Sequence, residues 1–119
     1  MKIYTSYFGN NRKLKESNVK IVSIAKSAPG GFGKESIQEL APSRELLNTY
    51  KSGNMSIEEY EKMYLTGLEQ VDMKDIHDKI KSYRGDVALC CWEGKGKFCH
   101  RHIISSLLNR IFDLNIEEF

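Results

Sequence analysis

Apolar positions along this chain follow two different periods, and the switches between them predict its elements. Ile3 to Phe8 is apolar and aromatic and predicts a first strand, closed by the turn residues Gly9-Asn10-Asn11. Val19 to Ile24 alternates in part, with Val19, Ile21 and Ile24 apolar and Lys20 and Ser23 polar, and predicts a second. Pro29 with Gly30, Gly31 and Gly33 makes the following stretch a loop. The period then becomes helical. Pro42-Ser43 starts a helix with Leu46, Leu47 and Tyr50 on one face, and Gly53-Asn54 ends it. Ser56-Ile57-Glu58-Glu59 reads as a capping box, with Ile57, Tyr60, Tyr64 and Leu68 at helical spacing behind it. Asp72 caps a third helix that turns Met73, Ile76, Ile80 and Tyr83 inward. After the turn Arg84-Gly85-Asp86, residues 87–92 read as a buried third strand. A last helix carries the stripe Ile103, Ile104, Leu107, Leu108, Ile111 and Phe112 opposite Ser105, Ser106, Asn109 and Arg110.

Strand–strand–helices–strand–helix predicts one small α/β domain over residues 1–119, with a mainly parallel sheet flanked by helices. The first two strands are only about ten residues apart, short for a helical crossover. That leaves an extended crossover or a local antiparallel pair open. With parallel strands, the loops after each strand converge on one edge, where open α/β sheets bind ligands. Tyr7, Asn10, Asn11, Pro29, Gly30, Gly31, Glu93, Lys95, Lys97, Cys99, His100 and Arg101 are expected on that rim.

Composition narrows the class. Hydrophobic residues make up 40% and charged residues 29% of the 119, ordinary for a globular domain. No apolar run approaches the ~20 residues of a membrane span, and Met1-Lys2-Ile3-Tyr4 enters a strand pattern without a signal-peptide core. Three cysteines crowded between 90 and 99 do not make a disulfide framework, and a cytoplasmic location is expected. The net charge of +2 is uneven: residues 1–34 carry seven bases against Glu16 alone, while 35–75 are acidic. The basic third suits an anionic partner; its plainer reading is that Lys13, Lys15, Lys20 and Lys26 are solvated surface residues.

Residues 91–101 concentrate the candidate chemistry. Cys99 opens a helix beside His100, Arg101 and His102, which favours a thiolate able to attack an electrophilic centre. The competing reading is a small packed residue. His100 and Arg101 suit a phosphate or carboxylate cradled by helix N–H groups; alternatively Arg101 pairs with Glu93 and His100 is structural. Glu93 is read as orienting rather than as a base. Cys90 and Cys91 lie on opposite strand faces and read mostly as core. A metal set of Cys91, Cys99, His100 and His102 is conceivable, but zinc sites offer Cys-x₂₋₄-Cys or His-x₃₋₅-His spacings and neither occurs here, so no metal or other cofactor is expected. The glycine loop is not a Walker motif.

Cys91-Trp92-Glu93 and Cys99-His100-Arg101 resemble the family catalogued as domain of unknown function 488. The resemblance extends to Tyr4-Thr5-Ser6-Tyr7-Phe8-Gly9-Asn10, Pro29-Gly30-Gly31-Phe32, Leu40-Ala41-Pro42-Ser43 and Tyr60 to Tyr64. It implies a small cytosolic α/β domain and names no reaction. The loop Gly94–Phe98 is basic here where many relatives carry an acidic residue before the second cysteine. The leading expectation is an anionic small-molecule or nucleotide site, with Cys99, Glu93 and His100 as catalytic candidates. Arg101, Tyr7, Asn10, Pro29, Gly30, Gly31 and Lys97 are its ligand-binding candidates. The alternative is a non-catalytic nucleic-acid-binding or protein-interaction module using residues 1–34.

Overall fold

Val87-Ala88-Leu89-Cys90-Cys91 offers solvent no polar side chain, and it forms strand β3 (Val87–Cys91), every residue of which is buried. Such a strand needs cover on both faces. In the computed structural model, which describes residues 1–30, 34–94 and 96–119, β3 lies between β1 (Ile3–Tyr7) and β2 (Lys20–Ser23). A fourth strand, β4 (Glu117–Glu118), joins the far side of β1. The order is β2-β3-β1-β4 and every pairing is parallel. Tyr7 stands opposite Cys91 and Ser23 opposite Cys90, so the three longer strands end together on one edge.

The α/β class is as expected, but two connections differ. β1 and β2 are not neighbours: the chain steps over the place of β3 through a 3₁₀ turn (Phe8–Asn10) and the short helix α1 (Asn11–Glu16). Six helical residues are enough, because α1 has to bury only Leu14. The antiparallel pair that the short connection left open is therefore excluded. The acidic tail is the second difference, since Glu117 and Glu118 extend the sheet. Its placement has a local cause. Asp113 takes a left-handed conformation (φ 53°) after the last helix, and Asn109 grips the returning chain through both the Ile116 carbonyl (3.2 Å) and N–H (2.7 Å).

From β1 to β2 the chain moves one way along the sheet; from β2 to β3 to β4 it moves the other. Crossovers of constant hand then put α1 on one face and the remaining helices on the other. These helices are α2 (Arg44–Lys51), α3 (Ile57–Leu68), α4 (Met73–Lys81) and α5 (His100–Phe112). The buried side chains follow. Phe8, Leu14, Val19, Ala88 and Cys90 form a small cluster on the α1 face. Val22, Leu89, Tyr64, Ile76, Ile80, Ile104 and Leu108 belong to the larger cluster opposite.

The helix starts are chemically specified. Ser43 accepts from the Leu46 N–H, Asp72 accepts from the N–H groups of Lys74 and Asp75, and Ser56 and Glu59 close a reciprocal capping box. On α5 the buried stripe is narrower than the apolar one: Ile103, Ile104 and Leu108 are buried and Ile111 is exposed. His77 on α4 packs its ring against Phe112 of α5, with ring centroids 4.3 Å apart. No helix among the described residues is long and apolar enough to cross a membrane.

Candidate functional site

Alternation along β3 decides which cysteine faces which layer. Leu89 points to the larger core, so Cys91 does too, while Cys90 packs with Ala88 and Leu14 on the α1 face. Burial pushes the Cys90 thiol up to about 12, which leaves it an inert protonated packing group. Cys91 is not mere packing. The loop after β3 folds back through the turn bond from the Lys97 N–H to the Gly94 carbonyl, with Gly96 at φ +80°, and delivers Cys99 as the N-cap of α5. There the sulfurs of Cys91 and Cys99 meet as a disulfide pair, and Cys90 is left as a free, buried thiol. Cys91, read from the sequence mostly as core, and Cys99, for which no disulfide is expected, are eight residues apart and converge across the strand-to-helix junction.

His100 completes the corner. Its Nε2 lies 2.7 Å from the Ile24 carbonyl oxygen, which can only accept, so Nε2 carries the proton. In the neutral ring Nδ1 is then a bare lone pair, and it sits 3.4 Å from Cys99 Sγ. Burial holds His100 down to about 4, so the ring is neutral at pH 7. Tyr64 packs edge-on against the imidazole and is itself fixed by donating its hydroxyl to the Leu40 carbonyl at 2.6 Å.

The corner opens onto a cavity of about 860 Å³ at the carboxyl edge of β2 and β3. Cys91, Trp92, Glu93, Lys97, Cys99 and His100 form one side; Ala25, Lys26 and Ser27 follow β2. Tyr50, Lys51 and Tyr60 come from α2 and α3. Tyr50, Tyr60 and Phe98 pack ring against ring at 5.1–5.5 Å and make an aromatic wall. Burial, with Tyr50 and the Glu93 carboxylate nearby, pushes the Tyr60 hydroxyl up to about 12. Trp92 donates its indole N–H to the Ser27 carbonyl at 2.6 Å and tethers the two loops. Among the described residues, three lysines and one carboxylate line this space, so that lining is net positive.

Arg101 has a different situation. It is completely buried, and its fork meets a carboxylate belonging to the protein. Nε donates to Glu118 Oε1 at 3.1 Å and Nη2 to Glu118 Oε2 at 2.9 Å. Nη1 donates to the Glu93 carbonyl (2.6 Å) and to Cys91 Sγ (2.9 Å), and Nη2 also donates to the Gly94 carbonyl (3.2 Å). All five N–H groups of the guanidinium are therefore used internally. Of the suggested Arg101–Glu93 pair, it is the Glu93 backbone and not its carboxylate that takes part.

The expected rim is only partly assembled. Glu93, Lys97, Cys99 and His100 line the cavity. Tyr7 lies under the Arg101 guanidinium, 5.7 Å from ring centroid to Cζ, and Asn10 donates to Ser6 Oγ and the Phe119 carbonyl. Pro29 and Gly30 do not line the cavity. Gly31 and Lys95 lie outside the described residues. Lys26, Tyr50, Lys51 and Tyr60 line the cavity without being expected there, and Glu118 is the unexpected partner of Arg101. Tyr50 and Tyr60 carry the ordinary signature of a helix core face, and no local signal separates wall from core.

Residues 3–111 match the family model DUF488-N3a, described as the active DUF488-N3 subclade. No curated protein and no solved structure matches the chain.

Proposed function

The chain belongs to the DUF488 family, and from that premise we propose that it is a thiol-dependent enzyme acting on an anionic, ring-bearing small molecule such as a nucleotide. One observation carries this reading. Lys26, Lys51 and Lys97 surround the same cavity as the aromatic wall and Cys99. Cations supply attraction for a phosphate or carboxylate, and aromatic faces accept a planar ring. A volume of about 860 Å³ suits a ligand of nucleotide size. The family model's description as an active subclade supports a catalytic rather than a purely binding role.

In this reading Cys99 is the nucleophile. Its place at the amino end of α5 favours negative charge on sulfur. In the reduced chain His100 Nδ1, 3.4 Å from Cys99 Sγ, accepts a hydrogen bond from the thiol and orients it, and the Ile24 carbonyl fixes the ring for that task. Glu93 orients the ligand and Lys97 holds its anionic group. Arg101 acts through position: by binding the Glu93 and Gly94 carbonyls it holds the loop that presents Cys99.

Trp92 is the only tryptophan and lines the cavity, so its fluorescence reports occupancy. Nucleoside monophosphates are expected to change that emission saturably, with weaker binding as salt is raised. Iodoacetamide is expected to label Cys99 faster than Cys90 or Cys91 near neutral pH. No saturable change with purine or pyrimidine nucleotides sinks the ligand class, and slow labelling of Cys99 in reduced, metal-free protein sinks the nucleophile.

A further inference from the structure

We propose that Cys91, Cys99 and His100 form a site for a soft divalent cation of the zinc class, with its remaining coordination position facing the cavity. The three ligating atoms lie within 4.8 Å of one another, and all three residues are buried. Two thiolate sulfurs and one imidazole nitrogen are the donor set such a cation selects, and three protein ligands with one open position is the pattern of reactive rather than structural zinc sites.

Three further observations support a metal over a simple cross-link. Ordinary disulfides hold their Cα atoms about 4.4–6.8 Å apart, whereas those of Cys91 and Cys99 are 7.4 Å apart. The backbone brings two thiols to one point without the closer approach a cross-link favours. The His100 ring is also set as a ligand: Nε2–H donates to the Ile24 carbonyl, so the lone pair on Nδ1 turns toward the sulfurs. A histidine ligand held by a carbonyl on its other nitrogen is the usual outer-shell arrangement. Finally, Arg101 Nη1 donates to Cys91 Sγ at 2.9 Å, the kind of bond that holds a charged sulfur in place.

Spacing along the chain excludes only a metal site built from near neighbours. Here the ligands come from a strand end and a helix start eight residues further on, and the fold joins them. The inference does not rest on the nucleophile reading and concerns a different state of the same corner: the thiol is reactive in the reduced, metal-free chain, and a bound cation takes the Cys99 sulfur as a ligand and stops its alkylation.

The test is cobalt titration of the reduced, metal-free chain. Binding is expected at one equivalent, with thiolate-to-cobalt charge-transfer bands and the d–d bands of a tetrahedral site, displaced by zinc. Cys90→Ser should keep these bands, Cys91→Ser and Cys99→Ser should lose them, and His100→Ala should weaken cobalt binding by at least about tenfold. In the wild-type protein, where folding is not in question, one equivalent of zinc should protect Cys91 and Cys99 from iodoacetamide and leave Cys90 unchanged. Absence of the bands, their persistence in Cys91→Ser, or unprotected Cys99 overturns the proposal. Loss of nucleotide-dependent Trp92 emission with the cobalt bands intact counts only against the small-molecule reading; the reverse counts only against the metal.

Discussion

His100 and Arg101 are neighbours on the first turn of α5, and they belong to two different machines. His100 faces the cavity with a lone pair aimed at sulfur. Arg101 faces β1 and β4, where Glu118, Cys91 and two loop carbonyls use every donor it has. The cavity's lysines differ again: Lys26, Lys51 and Lys97 are exposed, and their charge is available to a ligand. Equal charge therefore carries unequal meaning. A buried, fully bonded cation organises structure; an exposed one beside a cavity attracts. The difference follows from desolvation, because a charge removed from water must be met by fixed partners.

Substitutions separate the two roles. The largest effect is expected for Arg101→Ala, which leaves Glu118 and the loop carbonyls without their donor. Urea denaturation should show a loss of about 3–5 kcal/mol, and a loss below 1 kcal/mol would show that Arg101 is not a strut. Arg101→Lys should recover little, since an ammonium cannot reproduce the planar fork. Glu118→Ala should cost less, about 1–3 kcal/mol, because the carboxylate is 28% exposed and water replaces part of its role. Equal costs for the two variants would mean that the strut is only the ion pair.

On the cavity side the expected order reverses, with small stability changes and clear functional ones. Cys99→Ser should alter stability by no more than about 1 kcal/mol while removing the fast alkylation. If the fast label instead stays, it belongs to Cys91. Lys97→Ala should leave stability within about 0.5 kcal/mol and weaken nucleotide binding about two- to fivefold at low salt, read from Trp92 emission. The smallest effect is expected for Lys13→Glu with Lys15→Glu: no change in nucleotide affinity, since neither residue lines the cavity. A loss there would favour the alternative in which the basic first third forms the binding surface.

The helix starts and the buried strand were legible because their causes are local. Ser43, Ser56 with Glu59, and Asp72 each answer N–H groups within three residues, and Gly53 and Gly85 take the positive φ their turns require. The apolar run of β3 has only one economical destination, a strand covered on both faces. The site was half legible. Glu93, Lys97, Cys99 and His100 fall on the edge because they follow the third strand directly and lead into the next helix. Tyr7, Asn10, Pro29 and Gly30 were grouped with them because three parallel strands were assumed to feed one crevice. The order β2-β3-β1-β4 instead places the cavity over β2 and β3, and Tyr7 at the end of β1 serves Arg101.

The α/β class, the starts of α2 to α5 and the opposite faces of Cys90 and Cys91 follow from sequence, because propensity, capping and a two-residue period act over short distances; α1 does not. Tertiary structure decided that β4 exists, that Glu118 holds Arg101, and that Cys91, Cys99 and His100 share one corner beside three lysines. Those outcomes depend on where crossovers lay the chain down. A two-residue strand of glutamates has no hydrophobic pattern, and it becomes a strand because Asn109 and β1 hold it there.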